Sequence, residues 1–279
     1  MKKTSVRKMI SEALWQQLEP ALQAARHSAA GAPPELSERE FLEAVLHLQR
    51  TGNPWRDLPG EFGPWHAVDR RFRRWEARGV WTRLWKNLQA EPFAGARGLL
   101  VDSTTVRAHP HAAGAPKKTA ATRLWAALAA AWSTKLHAAT LDENSRPLAS
   151  LPPVPSAASA VALHLTAGHA HDGRQFEALY ESLAPDNVPE FAALDKGDDA
   201  DRLRERLALD GIAAVIPPLS TRCQKLPYDK ELYRSRHRVE RFFNKLKQFR
   251  RLATRYDKLA KTSPAAVCLV AAFLIAKNS

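Results

Sequence analysis

"GLLVDSTTV", Gly98 to Val106, is where the chain changes character. The run is apolar and β-branched, which reads as a strand. Before it the pattern is helical. Ser11 stands ahead of LWQQLEPALQAARH, and Ser37 with Glu40 has capping-box spacing ahead of FLEAVLHLQR, which Gly52 would end. A Pro/Gly-rich connector, NPWRDLPGEFGP, leads to WHAVDRRFRRWEARG, with Gly79 as its stop, and then to VWTRLWKNLQA. After Gly98 the pattern alternates. STKLHAATLD and VALHLTAG read as strands, GRQFEALYESLA as an amphipathic helix, and EFAALD (Glu190 to Asp195) as a short buried strand. DDADRLRERLAL is a helix and IAAVIPP a strand; a long basic helix and a buried apolar one, Ala265 to Ala276, follow. Strands mixed with crossover helices imply an α/β layer architecture around a central sheet. The expected division is a helical, DNA-binding-like domain over residues 1–95 and an α/β domain over 96–279. SLPPVPSAASA, Ser150 to Ala160, reads as an inserted flexible loop in the second.

Charge narrows the function. The formal net charge is +13. From Arg222 to Lys261 there are 14 basic and 4 acidic residues, a surplus of 10. Concentration of that kind favours a dedicated surface for a polyanion, usually nucleic acid, sometimes an anionic membrane. Cys223 and Cys268 lack metal-ligand spacing and are expected as free thiols. The basic N-terminus has no apolar signal-peptide core, and the longest apolar run is too short to span a bilayer. A soluble cytoplasmic protein with no membrane partner is the expectation.

Within the basic segment, Glu240 is a lone acid. On a helix, Tyr233, Arg236, Glu240 and Lys247 fall within a stripe about 60° wide. One reading is an ion pair between Arg236 and Glu240 four residues apart. The other comes from two further acids. Asp102 follows the apolar Leu99-Leu100-Val101, and Asp195 ends FAALD and is followed by Lys196. Acids at strand ends of an α/β sheet sit where ligands bind, although an Asp there can also just cap a turn. Together the three supply hard oxygen donors of the type Mg²⁺ takes. Two such ions about 3.5–4 Å apart can clamp the attacking and leaving oxygens of a phosphoryl displacement.

These residues resemble those of the DDE transposases of bacterial insertion sequences, in the insertion-sequence-five branch. The likeness rests on FLEAVLHLQRTGNPWRDLP, FGPWHAV and RRFRRW in the helical part. It rests also on VDSTTVRAHPHAAG, STKLHAATLDENSRPLA, LTAGHAHDGRQFEAL and LDKGDDA. Last comes YRSRHRVERFFNKLKQFRRLATRYDK, whose Y-x2-R-x3-E-x6-K spacing is filled by Tyr233, Arg236, Glu240 and Lys247. The resemblance implies a ribonuclease-H-like mixed-sheet core with Asp102, Asp195 and Glu240 as catalytic metal ligands. It implies two Mg²⁺ ions, with Mn²⁺ as a substitute, and cleavage and strand transfer at the terminal inverted repeats of a mobile element. Partners would be double-stranded DNA, both element ends and target, and a second copy of the chain in a synaptic homodimer. The setting would be the bacterial cytoplasm, at the nucleoid. Arg236, Lys247 and Lys196 would hold phosphates and Tyr233 would position the strand.

Other candidates have two readings each. Arg70, Arg71, Arg73 and Arg74 contact DNA or form a solvated helix face, and the overall charge favours DNA. His109/His111 and His169/His171 could each chelate a metal, but lack a third soft ligand nearby; as loop residues near the site, His109 or His111 could touch DNA. Trp55, Trp65, Trp75, Trp81 and Trp85 read as core. The chain departs from the family at Asp198, where an aromatic is usual, at Val68-Asp69, and in the Ser150–Ala160 insertion. In RLWAALAAAW, Arg123 to Trp132, the family has a basic glycine-rich stretch reading ALGRSRGG. Codons exist for which another frame restores that stretch, so a local frameshift is the hypothesis there. It leaves three alternatives: an active transposase, a plain metal-dependent endonuclease, or a decayed copy that only binds element DNA.

Overall fold

The computed structural model describes residues 6–26, 36–89, 98–109, 133–142, 160–167, 172–183, 189–256 and 262–278. They form two compact units. One gathers the described residues up to Leu88 with Arg107–His109 and those from Leu246 to Lys277; the other holds the rest, including Gly98–Val106 and residues 133–245. The boundary expected near residue 95 thus meets a chain whose described C-terminal residues pack with its first helices.

In the first unit, α1 (Glu12–Ala25) starts at Ser11, whose side chain accepts from the Leu14 amide. The helix α2 (Glu38–Thr51) opens on the full capping box: Ser37 Oγ accepts from the Glu40 amide and Glu40 Oε2 accepts from the Ser37 amide. It ends at Gly52, whose φ of 79° is left-handed, where a side chain would be strained. Then come α3 (Trp65–Ala77) and α4 (Val80–Asn87). Phe41, Phe72, Trp75, Trp81 and Trp85 are all buried, with Phe72 and Trp81 ring centroids 5.1 Å apart. Trp55 and Trp65 are only partly covered. The buried carboxylate of Glu43 accepts from the amides of Met9 and Ile10, which ties the N-terminal segment to α2. From Ala265 to Ala276 the C-terminal helix is buried on every side, as an apolar helix without a polar face must be.

The second unit is built on a mixed sheet of order β3-β2-β1-β4-β5. Its strands are β1 (Gly98–Ala108), β2 (Ser133–Asp142), β3 (Ala160–Ala167), β4 (Phe191–Ala193) and β5 (Ala213–Val215). β1 runs parallel to β4 with Gly98 opposite Phe191, and β4 parallel to β5, while β2 and β3 are antiparallel. A side chain at Gly98 is excluded: a Cβ there would lie 2.1 Å from the Phe191 ring. The helices α5 (Asp172–Glu181) and α6 (Asp201–Leu209) bring Phe176, Leu179, Leu203 and Leu207 onto Leu99, Val101, Ala192 and Leu194. A two-residue β6 (Thr254–Arg255) pairs with the end of β1 that belongs to the first unit.

The single long basic helix expected from the sequence is three short ones: α7 (Lys230–Arg234), α8 (His237–Lys247) and α9 (Arg250–Ala253). The first break has a local cause. Ser235 Oγ donates to the Leu232 carbonyl at 2.7 Å. The amides of Ser235, Arg236, Arg238 and Val239 each bond three residues back, which tightens the backbone out of α geometry. The C-terminal apolar helix is α10 (Thr262–Asn278), and no helix among the described residues is long and apolar enough to cross a membrane. The Arg123–Trp132 stretch, residues 150–159, His111, His169 and His171 lie outside the described residues.

Candidate active site

Three elements deliver the three acids. Asp102 sits in β1 directly after its apolar run, with its side chain 18% exposed. Asp195 follows β4 and caps a 3₁₀ turn, Lys196–Asp198, by accepting from the Lys196 amide at 2.8 Å. Glu240 lies in the first turn of α8. That helix buries Val239, Phe242, Phe243 and Leu246, one stripe at i, i+3, i+4 and i+7. On the wheel, Glu240 falls on one flank of the stripe and Arg238 on the other, about 160° apart.

Arg236 joins the acids. Its Nη2 is 2.7 Å from Asp102 Oδ1 and its Nη1 3.1 Å from Glu240 Oε1. The guanidinium is 12% exposed. Burial pushes the Asp102 carboxyl above its ordinary range; Arg236 and the Ser103 amide pull it back, and the charges of Asp195 and Glu240 push it up again. For Arg236, burial works downward, but Asp102, Tyr233, Asp195 and Glu240 together raise it above the usual arginine value. Burial also raises Tyr233, opposed by Arg236 and helped by Asp195, Tyr228 and Asp102. The three carboxylates, the tyrosine and the arginine therefore share one electrostatic neighbourhood. The cation at its centre is the guanidinium. Among the described residues, no group of three or more His, Cys, Asp or Glu side chains stands where it could hold a metal ion. The donor type, hard carboxylate oxygens, fits a divalent cation in kind, and two of the three acids, Asp102 and Glu240, are paired with Arg236.

The remaining sequence candidates divide. Tyr233 is half-buried, with its ring edge-on to Tyr228 at 5.5 Å. Lys196 is exposed beside Asp195. Lys247 is exposed at the last position of α8, two turns and about 10 Å of rise beyond Glu240. Arg70 and Arg74 are exposed on α3; Arg73 is also exposed but donates to Asp69 at 3.0 Å. Arg71 is the exception. It is 7% exposed, donates to the Leu36 carbonyl at 2.8 Å, and lies 4.4 Å from the Phe41 ring centre and 5.0 Å from that of Trp75. Burial, with Arg26 and Arg74 nearby, pulls its pKa down to about 10. It is a core cation turned away from solvent, where the sequence favours a DNA contact, because its helical position falls on the Val68–Phe72–Trp75 side. His109 stacks on Tyr256 at 4.7 Å.

Two acids escaped the sequence reading. Asp142 ends β2 and is buried against Arg238, Nη1 to Oδ1 at 3.0 Å. Its signal was present: an acid closing an apolar strand, the pattern that singled out Asp195. Asp199 accepts from Arg204 Nε, Arg222 Nε and the Leu219 amide at 2.8, 3.0 and 2.7 Å. Burial works to raise it, and those three donors hold it below the ordinary carboxylate range. The network fixes the loop after Asp195 to the segment after β5.

Residues 93–275, well over half the chain, match the family "Transposase DDE domain", and residues 10–85 match "Putative transposase of IS4/5 family". The chain is 46% identical over 82 residues to "Uncharacterized protein y4sN" of Sinorhizobium fredii, 29% of this chain and 64% of that protein, just under two thirds of its length. It is 37% identical over 108 residues, 36% of this chain and 74% of the relative, to "Insertion element IS402 uncharacterized 16.2 kDa protein" of Burkholderia cepacia. It is 37% identical over 127 residues, 45% of this chain and 85% of the relative, to "Putative transposase for insertion sequence element IS6501" of Brucella ovis. No solved structure gives a significant match. Matched over most of its length by these two families, the chain belongs to the DDE transposase family, on its IS4/IS5-like branch.

Proposed function

We propose that the chain cuts DNA at the terminal inverted repeats of an insertion sequence and joins the freed 3′ ends to target DNA. One observation carries this reading: Asp102 and Glu240, from distant parts of the chain, pair with the same Arg236 guanidinium, and the charge of Asp195 acts on it as well. Strand order β3-β2-β1-β4-β5 with an antiparallel β2–β3 pair and parallel β1, β4 and β5 supports a ribonuclease-H-like core.

Asp102, Asp195 and Glu240 would hold divalent cations here. Mg²⁺, or Mn²⁺ in its place, would supply activation of the attacking oxygen and neutralise charge on the scissile phosphate. The protein's own part is placement and charge. Arg236 leaves Asp102 for a DNA phosphate, Lys247 and Lys196 hold further phosphates, and Tyr233 positions the strand beside them. Exposed Arg70 and Arg74 on α3 grip the DNA backbone in the helical domain. Two element ends require two copies of the chain, in the bacterial cytoplasm at the nucleoid.

The test is a nicking assay with the full chain, a supercoiled plasmid carrying the gene with its flanking DNA, and Mg²⁺. Nicking that Asp102→Asn or Glu240→Gln abolishes supports the reading. Salt-sensitive binding with no nicking identifies a copy that only occupies DNA. Nicking without joining identifies an endonuclease.

A further inference from the structure

The acid-bearing helix α8 is tied to the sheet by two arginine–aspartate pairs of different character, one from Arg236 just ahead of its first residue and one from Arg238 within it. Arg236 reaches Asp102 in β1 from the flank that carries Glu240. Arg238 reaches Asp142 at the end of β2 from the other flank, with Asp142's side chain 4% exposed and Arg238's 13%. Between them Val239 is fully buried. If Arg236 gives up Asp102 to a cation, the flank that carries Glu240 loses its tie to β1. Glu240 itself is 53% exposed and has no burial of its own to fix it.

We infer that Asp142 and Arg238 are positioning residues for Glu240: their ion pair keeps the first turn of α8 in register with the sheet when Arg236 is released. This rests on the reading of Glu240 as a metal ligand. Apolar side chains would hold a helix against a sheet at least as firmly, since a buried ion pair adds little net stability over a well-packed apolar replacement. A charge pair adds a direction. It fixes the rotation of the helix about its own axis, and rotation is what decides where Glu240 points two residues later. Groups that orient a ligand without touching the ion commonly set affinity by about 10- to 100-fold.

The test uses the full chain and Mn²⁺ alone, with free Mn²⁺ followed by electron paramagnetic resonance and folding by thermal melting. Asp102→Asn should remove binding. Asp142→Asn should weaken it by about 10- to 100-fold, and Arg238→Lys, which keeps the charge, should recover most of the loss expected of Arg238→Gln. Because Asp142→Asn takes the carboxylate from the buried Arg238, it can fail to fold. The double variant Asp142→Leu/Arg238→Met keeps the volume without charge and separates the two roles. Wild-type melting with weakened Mn²⁺ binding supports the inference; wild-type melting with wild-type Mn²⁺ binding overturns it. If Asp102→Asn binds Mn²⁺ as the parent does, the metal-site reading falls, and the positioning role with it.

Discussion

Both units turn arginines inward, and they satisfy them differently. In the helical unit, Arg71 lies over the rings of Phe41 and Trp75 and donates to a carbonyl, and Arg251 lies 5.5 Å from the Trp55 ring and donates to the Asn53 carbonyl. In the sheet unit, Arg236, Arg238, Arg204 and Arg222 face carboxylates. Ring faces and carbonyls hold a guanidinium by shape and by many weak attractions that no small ion reproduces. A carboxylate attracts any cation. Thus the aromatic cradle makes arginine a permanent part of the core, and the acidic one makes it exchangeable unless geometry closes the site.

Asp199 is the hardest test, since it breaks the simple division. Its side chain is fully buried, and two guanidiniums and an amide take up its oxygens. Here an acidic cradle is closed, so it should act like an aromatic one. Asp199→Asn should cost about 3–5 kcal/mol, the usual loss when one member of a buried pair is removed. Chemical denaturation measures it, and a loss below about 1 kcal/mol would class the network with surface pairs. Arg71→Ala comes next. It strips a buried hydrogen bond and the cation from two ring faces, which should cost about 2–4 kcal/mol. Added Mn²⁺ should return none of it. A variant rescued by Mn²⁺ would contradict the assignment of Arg71 to the core.

The same contrast separates what the sequence discloses from what it hides. Periodicity and caps are local, so the Ser37–Glu40 box, the Gly52 and Gly79 stops and the span of β2 could all be read before any coordinates. Asp102, Asp195 and Glu240 could be singled out because an acid directly after an apolar strand run, or alone among bases, is conspicuous. Burial is not local. Nothing in RRFRR distinguishes Arg71 from Arg70 except the helical phase set by Val68, Phe72 and Trp75, and that phase is decided by which face finds the core. The break at Ser235 was hidden for a related reason. It depends on a serine hydroxyl bonding a carbonyl three residues back, and that choice competes closely with a continuous helix. Asp142 was within reach, but its partner Arg238 is remote in sequence and looked like one base among fourteen.

Arg236→Gln probes the open acidic cradle. Without Mn²⁺ the variant leaves Asp102, Asp195 and Glu240 facing one another, so stability should fall by about 1–2 kcal/mol, less than for a closed pair because the site is partly wet. Mn²⁺ binding should move the opposite way and tighten by at least tenfold, because a unit charge a few Å from a divalent ion is worth several kcal/mol at an effective dielectric constant of about 20, even with salt screening. Calorimetric titration of Mn²⁺ into the DNA-free protein reads this directly. Loss of affinity would mean that the guanidinium supports the metal site, and the exchange picture would be wrong. Nicking should still decline, because the phosphate loses its arginine, and opposite changes in affinity and turnover are something a purely structural role does not produce.

The smallest effect is at an exposed acid with no buried cation at all. Glu40 closes the capping box of α2, and its hydrogen bonds from the Ser37 hydroxyl and amide hold its pKa below the ordinary value. A carboxyl lowered on folding adds stability that is complete above its unfolded pKa and vanishes as pH falls through its folded one. Glu40→Gln should therefore melt slightly below the parent at pH 7, and the gap should close in acid, at pH values under the usual glutamate range. Ser37→Ala removes the other half of the box and should cost about 1 kcal/mol at neutral pH. Neither change should alter Mn²⁺ affinity. A metal effect from this surface cap would mean that stability alone, without position, can weaken the acid site, and the distinction between closed and exchangeable cradles would lose its main support.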